Sequence, residues 1–211
     1  MRDQGNVRLK PGAEYRALLI DAQGDRARLF ASIMSDRGYA VAQTVASVDE
    51  AILMLGSANA AKQATAIDLL VLYTNSMNGK DIEAIGKLAG AADKPILVVT
   101  ESGDPDVIAR AVSAGATFCQ PLGVNADRVH AGVVGAISLH KRISALEAER
   151  EDAVRALTER KLIDRAKQIV MASRDLNEAD AFAHLQKLSM TRNTPMADIA
   201  RSIIEAKELL G

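Results

Sequence analysis

The sequence has one cysteine, Cys119, among 211 residues. That excludes an intramolecular disulfide framework and any cysteine-based zinc site. Histidine is nearly as scarce, at three residues, which leaves little for a His-rich metal centre. Aromatic residues make up 3% and tryptophan is absent, so a base-stacking platform of exposed rings is not expected. Neither sign of charge dominates. Lys and Arg total 26 against 27 Asp and Glu, a net charge of -1. This excludes a globally basic nucleic-acid coat but not a local basic patch. No apolar run is long enough to span a bilayer, and residues 1–10 are polar, with no signal-peptide core. The expectation is a soluble, cytoplasmic protein with one sizeable core, or one core and a small appendage.

What is present divides into two halves. From Tyr15 to about Phe118, short apolar runs alternate with helical patterns. The runs Ala17–Ile20, Leu69–Leu72 and Ile96–Val99 are continuously apolar rather than alternating, as in strands buried on both faces of a parallel sheet. Weaker strand signals cover Ala40–Thr44 and Ala116–Cys119. Amphipathic helices are expected over Asp25–Arg37, Val48–Ala58, Ile82–Ala91 and Pro105–Ala114, with Gly38 and Gly115 placed as helix stops. Repetition of strand and helix implies a doubly wound α/β domain.

Beyond Pro121 the pattern becomes wholly helical. Residues 142–174 are rich in Ala, Leu, Glu, Arg and Lys, all strong helix formers. Leu139, Ile143, Leu146, Ala153 and Leu157 follow alternating spacings of four and three, with Arg150 interrupting, as in a short coiled-coil seam. An amphipathic helix lying on its own domain is the alternative, but residues 147–152 are too polar for a core helix. Two more helices follow. One opens at Asn177, an N-cap, with Asp180 in its first turn and an apolar stripe of Ala181, Phe182, Leu185 and Leu188. The other starts at Pro195 and carries Ile199, Ala200, Ile203 and Ile204.

The order of elements over residues 15–125 resembles the receiver domain of two-component response regulators. In that family an acidic pair after the first strand binds Mg²⁺, an aspartate ending the third strand accepts phosphate, a Ser or Thr ends the fourth, and Lys-Pro follows the fifth. A hard dication needs several oxygen ligands, and the lysine neutralises the phosphoryl group. Here Asp21 keeps one acidic position, but Ala22 replaces its neighbour. Tyr73 stands where the phosphoacceptor should be, Thr100 keeps the hydroxyl, and Gln120-Pro121 replaces Lys-Pro. Thr74, Asn75 and Ser76 add hydroxyls and an amide but no carboxylate. The resemblance therefore implies a pseudo-receiver with a degenerate phosphoacceptor pocket at Asp21, Tyr73, Thr100 and Gln120. For Asp21 the reading is a strand-end hydrogen-bond acceptor, and for Tyr73 a partly buried ring filling the old pocket.

Glu159 to Met171, then Leu176 to Phe182, Leu185, Ser189-Met190, Asn193 and Ile199-Ala200, resemble the ANTAR domain across all three of its helices. ANTAR domains are three-helix RNA-binding modules of transcription antiterminators. Ile163, Ala166, Val170, Ala181, Leu185, Ile199 and Ala200 fall at core spacing. The resemblance implies an RNA face drawn from Arg165, Ala166, Lys167, Lys187, Thr191, Arg192 and Asn193, cations clamping phosphates and Thr191 or Asn193 reaching base edges. A solvated helix face competes as the explanation of each lone charge, Lys187 and Arg201 above all.

The combination, with Asn78-Gly79, Gln120-Pro121-Leu122 and Lys141-Arg142-Ile143-Ser144, resembles the amidase-operon antitermination regulators. Nitrate-responsive antiterminators share the plan. The implied organisation is a pseudo-receiver over residues 1–124, a long coiled-coil linker helix over 125–156 and an ANTAR bundle over 157–211. The implied partners are a leader RNA with paired stem-loops, a second copy of the chain, and a periplasmic-binding-type sensor that sequesters the regulator until a small amide arrives. No catalysis, cofactor, metal or membrane is expected. Two rivals remain: a phosphorylated regulator using Asp68 or Asp81, and a DNA-binding helix-turn-helix built on the Asn193–Met196 turn.

Overall fold

The computed structural model describes residues 15–56, 67–75, 77–121 and 126–210. The polar start of the chain, residues 57–58 of the second expected helix, Ser76, Leu122 and Asn125 lie outside the described residues. By internal contacts the chain forms two compact units, residues 1–144 and 145–211.

The first unit is a receiver-like doubly wound α/β domain. Its elements run β1 (Arg16–Ile20), α1 (Gly24–Asp36), β2 (Ala40–Val45), α2 (Val48–Gly56), β3 (Leu69–Thr74), α3 (Gly79–Ala91), β4 (Ile96–Thr100), α4 (Pro105–Ser113), β5 (Phe118–Pro121) and the start of α5 (Ala126–Arg174). The five strands are parallel, in the order β2-β1-β3-β4-β5. The apolar runs are continuous because both faces of each strand are covered. Leu18, Ile20, Leu70, Leu72 and Val98 pack with Ala51, Ile85, Leu88 and Ala111 from α2, α3 and α4. Their neighbours Ala17, Leu19, Leu69, Val71, Tyr73 and Leu97 pack with Ala27, Phe30 and Met34 of α1 and with Val129, Val133, Ala136 and Ile137 of α5. The opening turns of α5, at the start of the expected 125–156 linker, bury an apolar stripe on the sheet.

The helix stops are built as their residue types suggest. Gly38 adopts φ +78° after α1, and the next amide, Tyr39 N–H, donates to Met34 O at 3.0 Å. Gly115 adopts φ +117°, and Ala116 N–H donates back to Ala111 O at 3.0 Å. That bond explains why β5 begins at Phe118 and not at the expected Ala116: the amide of Ala116 still caps α4. Helix α3 starts earlier than expected, at Gly79. Asn78 accepts from Lys80 and Asp81 amides while Asp81 accepts from the Asn78 amide, a reciprocal cap.

The second unit holds the rest of α5, then α6 (Glu178–Arg192) and α7 (Met196–Leu210). Its core is Ala166, Val170, Ala181, Leu185, Ile199, Ala200 and Ile204, with Ile163 partly buried. Phe182 departs from the expected stripe. It is exposed, one position past Ala181 and turned off the buried face. Asn177 caps α6 by accepting from the Asp180 amide at 2.9 Å. On α5, Leu139, Ile143, Leu146 and Leu157 lie 43–55% exposed, and Ala153 is exposed with them.

Candidate nucleic-acid interface and receiver pocket

The receiver pocket lies at the C-terminal ends of β1, β2 and β3, beside the β1/β3 switch point where doubly wound folds place ligands. It opens a cleft of about 630 Å³ lined by Asp21, Arg26, Tyr73, Asn75 and the first turns of α2 and α3, among others. The Asp21 side chain is fully buried. It accepts the Gln23 amide at 2.9 Å and is held by Arg26 at both oxygens, Nε to Oδ2 at 2.8 Å and Nη2 to Oδ1 at 2.6 Å. The same guanidinium donates to Asn75 Oδ1 and sits 4.0 Å above the centre of the Tyr73 ring. Arg26 was not singled out in the sequence, where it reads as an ordinary first-turn cation on an amphipathic helix.

The electrostatics follow the geometry. The Asp21 carboxylate holds the Arg26 guanidinium above its ordinary range, more than burial lowers it. Burial pushes the Tyr73 phenol up, and the Arg26 cation pulls it partly back. Tyr73 also meets Phe30 edge to face, at 6.3 Å between centroids. Asp21 and Tyr73 therefore share one site. Thr100 and Gln120 do not line it. Thr100 is buried and accepts the Ser102 amide at 3.2 Å. Gln120 lies against α5 at Gly132, where a Cβ would come within 2.3 Å of Oε1. Asp68 and Asp81, the displaced-acceptor candidates, each have a backbone partner: the Arg16 amide at 2.9 Å and the Asn78 amide at 2.9 Å. Among the described residues no three metal-ligating side chains of His, Cys, Asp or Glu gather.

In the C-terminal bundle the expected RNA-facing set separates. Ala166 is fully buried in the core, which removes it from any contact surface. Arg165 and Lys167 stand two residues apart, about 200° around a helix, so they face different neighbours. Arg165 pairs with Glu208 on α7 at 2.8 Å. Lys167 pairs with Asp164 at 2.8 Å and with Glu178 on α6 at 2.7 Å. Those two carboxylates raise the Lys167 ammonium above its ordinary range, and Lys167 in turn lowers the Asp164 carboxyl. Lys187, Thr191 and Arg192 are exposed along the C-terminal half of α6. Asn193 ends that helix at φ 49°, a left-handed cap whose following amide, Thr194 N–H, donates to Ser189 O at 3.1 Å. A groove of about 430 Å³ between α5 and α7 is lined by Arg165, Gln168, Ser173, Lys207 and Glu208 with apolar neighbours. Lys207 was missed in the sequence because only the packing of α7 brings it beside Arg165, whereas Gln168, three residues along α5, could have been found from helical spacing.

Comparison with known proteins bears on both units. The ANTAR domain family matches residues 151–204. The transcriptional regulatory protein PdtaR of Mycobacterium tuberculosis is 31% identical over 140 residues, covering 65% of this chain and 67% of that protein. A nitrate regulatory protein of Klebsiella oxytoca is 41% identical over 54 residues, 26% of this chain and 14% of that protein. Among solved structures, a pilus assembly-related protein of Burkholderia pseudomallei has a TM-score of 0.53 at 18% identity, covering 61% of this chain and 92% of that one. A two-component response regulator of the LuxR family from Aurantimonas has a TM-score of 0.51 at 19% identity, covering 60% and 86%. At those identities the two structures speak for the receiver-like fold alone. The chain, a receiver-like domain joined to a C-terminal ANTAR domain, belongs to the family of transcriptional regulators that includes PdtaR.

Proposed function

We propose that this protein is an RNA-binding transcription antitermination regulator, not an enzyme, acting in the cytoplasm. The observation that carries the reading is the ANTAR match over residues 151–204, laid on a bundle whose core residues are those the pattern requires. Exposed Lys187, Thr191, Arg192 and Asn193 are the groups available to RNA, with Lys207 added from the α5–α7 groove and Arg165 joining them on exchanging its single partner Glu208 for phosphate. Phosphates are held by the cations, and Gln168, Thr191 or Asn193 meet base edges of a stem-loop. Lys167 serves the bundle instead, tying α5 to α6.

The exposed stripe Leu139, Ile143, Leu146, Ala153 and Leu157 pairs with its copy in a second chain. Arg150 falls on the same seam, where in a parallel, in-register pair the two arginines meet, each flanked by Glu149 of the other copy, and interrupt the apolar contact. Two bundles then engage a paired stem-loop RNA with the gain that effective concentration brings. Control comes from sequestration by a ligand-sensing protein of periplasmic-binding type, released by a small amide-type inducer, and the target is a catabolic operon. This last part rests on the resemblance carried by Asn78-Gly79, Gln120-Pro121 and Lys141–Ser144.

Single-round transcription on a template with paired leader hairpins before a terminator tests the reading. Purified protein without a phosphodonor raises read-through on the intact leader and not on one with disrupted loops. Equal termination with and without protein, on every leader tried, overturns it.

A further inference from the structure

A receiver-type metal site needs an acidic pair and an acceptor carboxylate around a dication. The residues here do not fit that group. Ala22 and Tyr73 remove two carboxylates, and the remaining one, Asp21, already has both oxygens taken by a guanidinium. We infer that Arg26 is the resident cation of this pocket: it fills the charge position a divalent ion would need, and it cross-ties the ends of β1 and β3 without metal or phosphate.

Three observations converge on it. Asp21 is fully buried at its side chain, so its charge requires a partner from the protein. The Arg26 side chain is itself only 15% exposed and reaches back five residues to grip the end of β1. Its remaining contacts, Asn75 and the Tyr73 face, both belong to the end of β3. One planar cation thus bonds to a carboxylate and an amide and stacks on a ring, which a lysine could not do. Tyr73 is part of the same device: a carboxylate there would face Asp21, whereas the ring offers a π surface to the guanidinium. The inference concerns the receiver-like domain alone and stands whether or not RNA is the ligand.

The test is a double-mutant cycle in the full chain, with wild type, Asp21→Asn, Arg26→Gln and the double variant compared by thermal unfolding. Arg26→Gln leaves a buried carboxylate without a counter-charge, and its Tm falls by roughly 10 °C or more. The double variant recovers at least half of that loss. If Arg26→Gln does not fold, a double variant that folds carries the same conclusion. Additive losses, or a double variant no better than Arg26→Gln, overturn the inference. Independently, Mn²⁺ added to wild type is followed by water-proton relaxation, and acetyl phosphate with Mg²⁺ by mass. Neither binding nor labelling is expected. Mn²⁺ binding that Asp21→Asn abolishes, or stoichiometric phosphorylation, shows a pocket open to metal and refutes the resident cation.

Discussion

Replacing Lys167 by methionine lowers the stability of the C-terminal bundle but leaves the salt dependence of RNA binding intact. The ammonium is held by Asp164 at 2.8 Å and Glu178 at 2.7 Å, so it offers a phosphate no uncompensated charge. To bind RNA it would first have to leave two carboxylates. Methionine keeps the length of the stem and removes only the charge, leaving two acidic groups at the α5–α6 contact. A residue that does contact phosphate behaves differently. Each such contact contributes about 0.7–0.9 to the slope of log K against log salt, so its loss narrows the gap from wild type about threefold between roughly 50 and 200 mM salt. Arg192→Ala, which removes an exposed cation with no ion pair among the described residues, is the comparator. Fluorescence anisotropy with a labelled two-stem-loop RNA over that salt range reads both variants, and thermal unfolding reads the bundle. The expected pattern is a lower Tm with the wild-type slope for Lys167→Met, and an unchanged Tm with a reduced slope for Arg192→Ala. A Lys167→Met protein of wild-type Tm whose slope has dropped by a full contact refutes the assignment.

Other consequences are as direct. Gly115→Ala forces a side chain into φ +117° and places its Cβ 2.5 Å from that of Ala89. Strain and overpacking together cost about 2–4 kcal/mol, a fall of about 10 °C in the Tm of the receiver-like domain. Cys119 is buried and its thiol is pushed up to about 11. At pH 8 about one molecule in a thousand is thiolate, so an aromatic disulfide reagent reacts at full rate only on unfolding, and prompt reaction of the native protein would contradict the burial. Leu146→Glu removes a half-exposed seam residue from both chains of the proposed pair. It weakens self-association by about 2–3 kcal/mol, roughly 30–150-fold in Kd by sedimentation, and an unchanged Kd would place the dimer contact elsewhere.

The sheet was legible because burial on both faces leaves a plain mark, an unbroken apolar run, at β1, β3 and β4. The bundle core was legible for the same reason at helical spacing, from Ala166 to Ile204. The charges were not. Pattern places Arg165 and Lys167 near one another, but it does not say that α7 brings Glu208 to one and α6 brings Glu178 to the other. Ala166 looked like a contact because it is small, and it is small because two helices close over it. Arg26 escaped notice because its meaning depends on a chain reversal after β1 that turns a helix cation back onto Asp21. The missing carboxylates at Ala22 and Tyr73 are legible in the sequence, while the guanidinium held against Asp21 is visible only in the fold.

The central claim, that the ANTAR bundle is an RNA-binding output, is tested most directly by titrating the full chain against a paired stem-loop leader RNA and a duplex DNA of equal charge, at two salt concentrations. The account predicts saturable binding to the RNA, weakened by salt, with the DNA bound at least tenfold less tightly. Equal affinity for both, or tighter binding to the duplex, would contradict it and would make the turn at Asn193–Met196 part of a DNA-binding module.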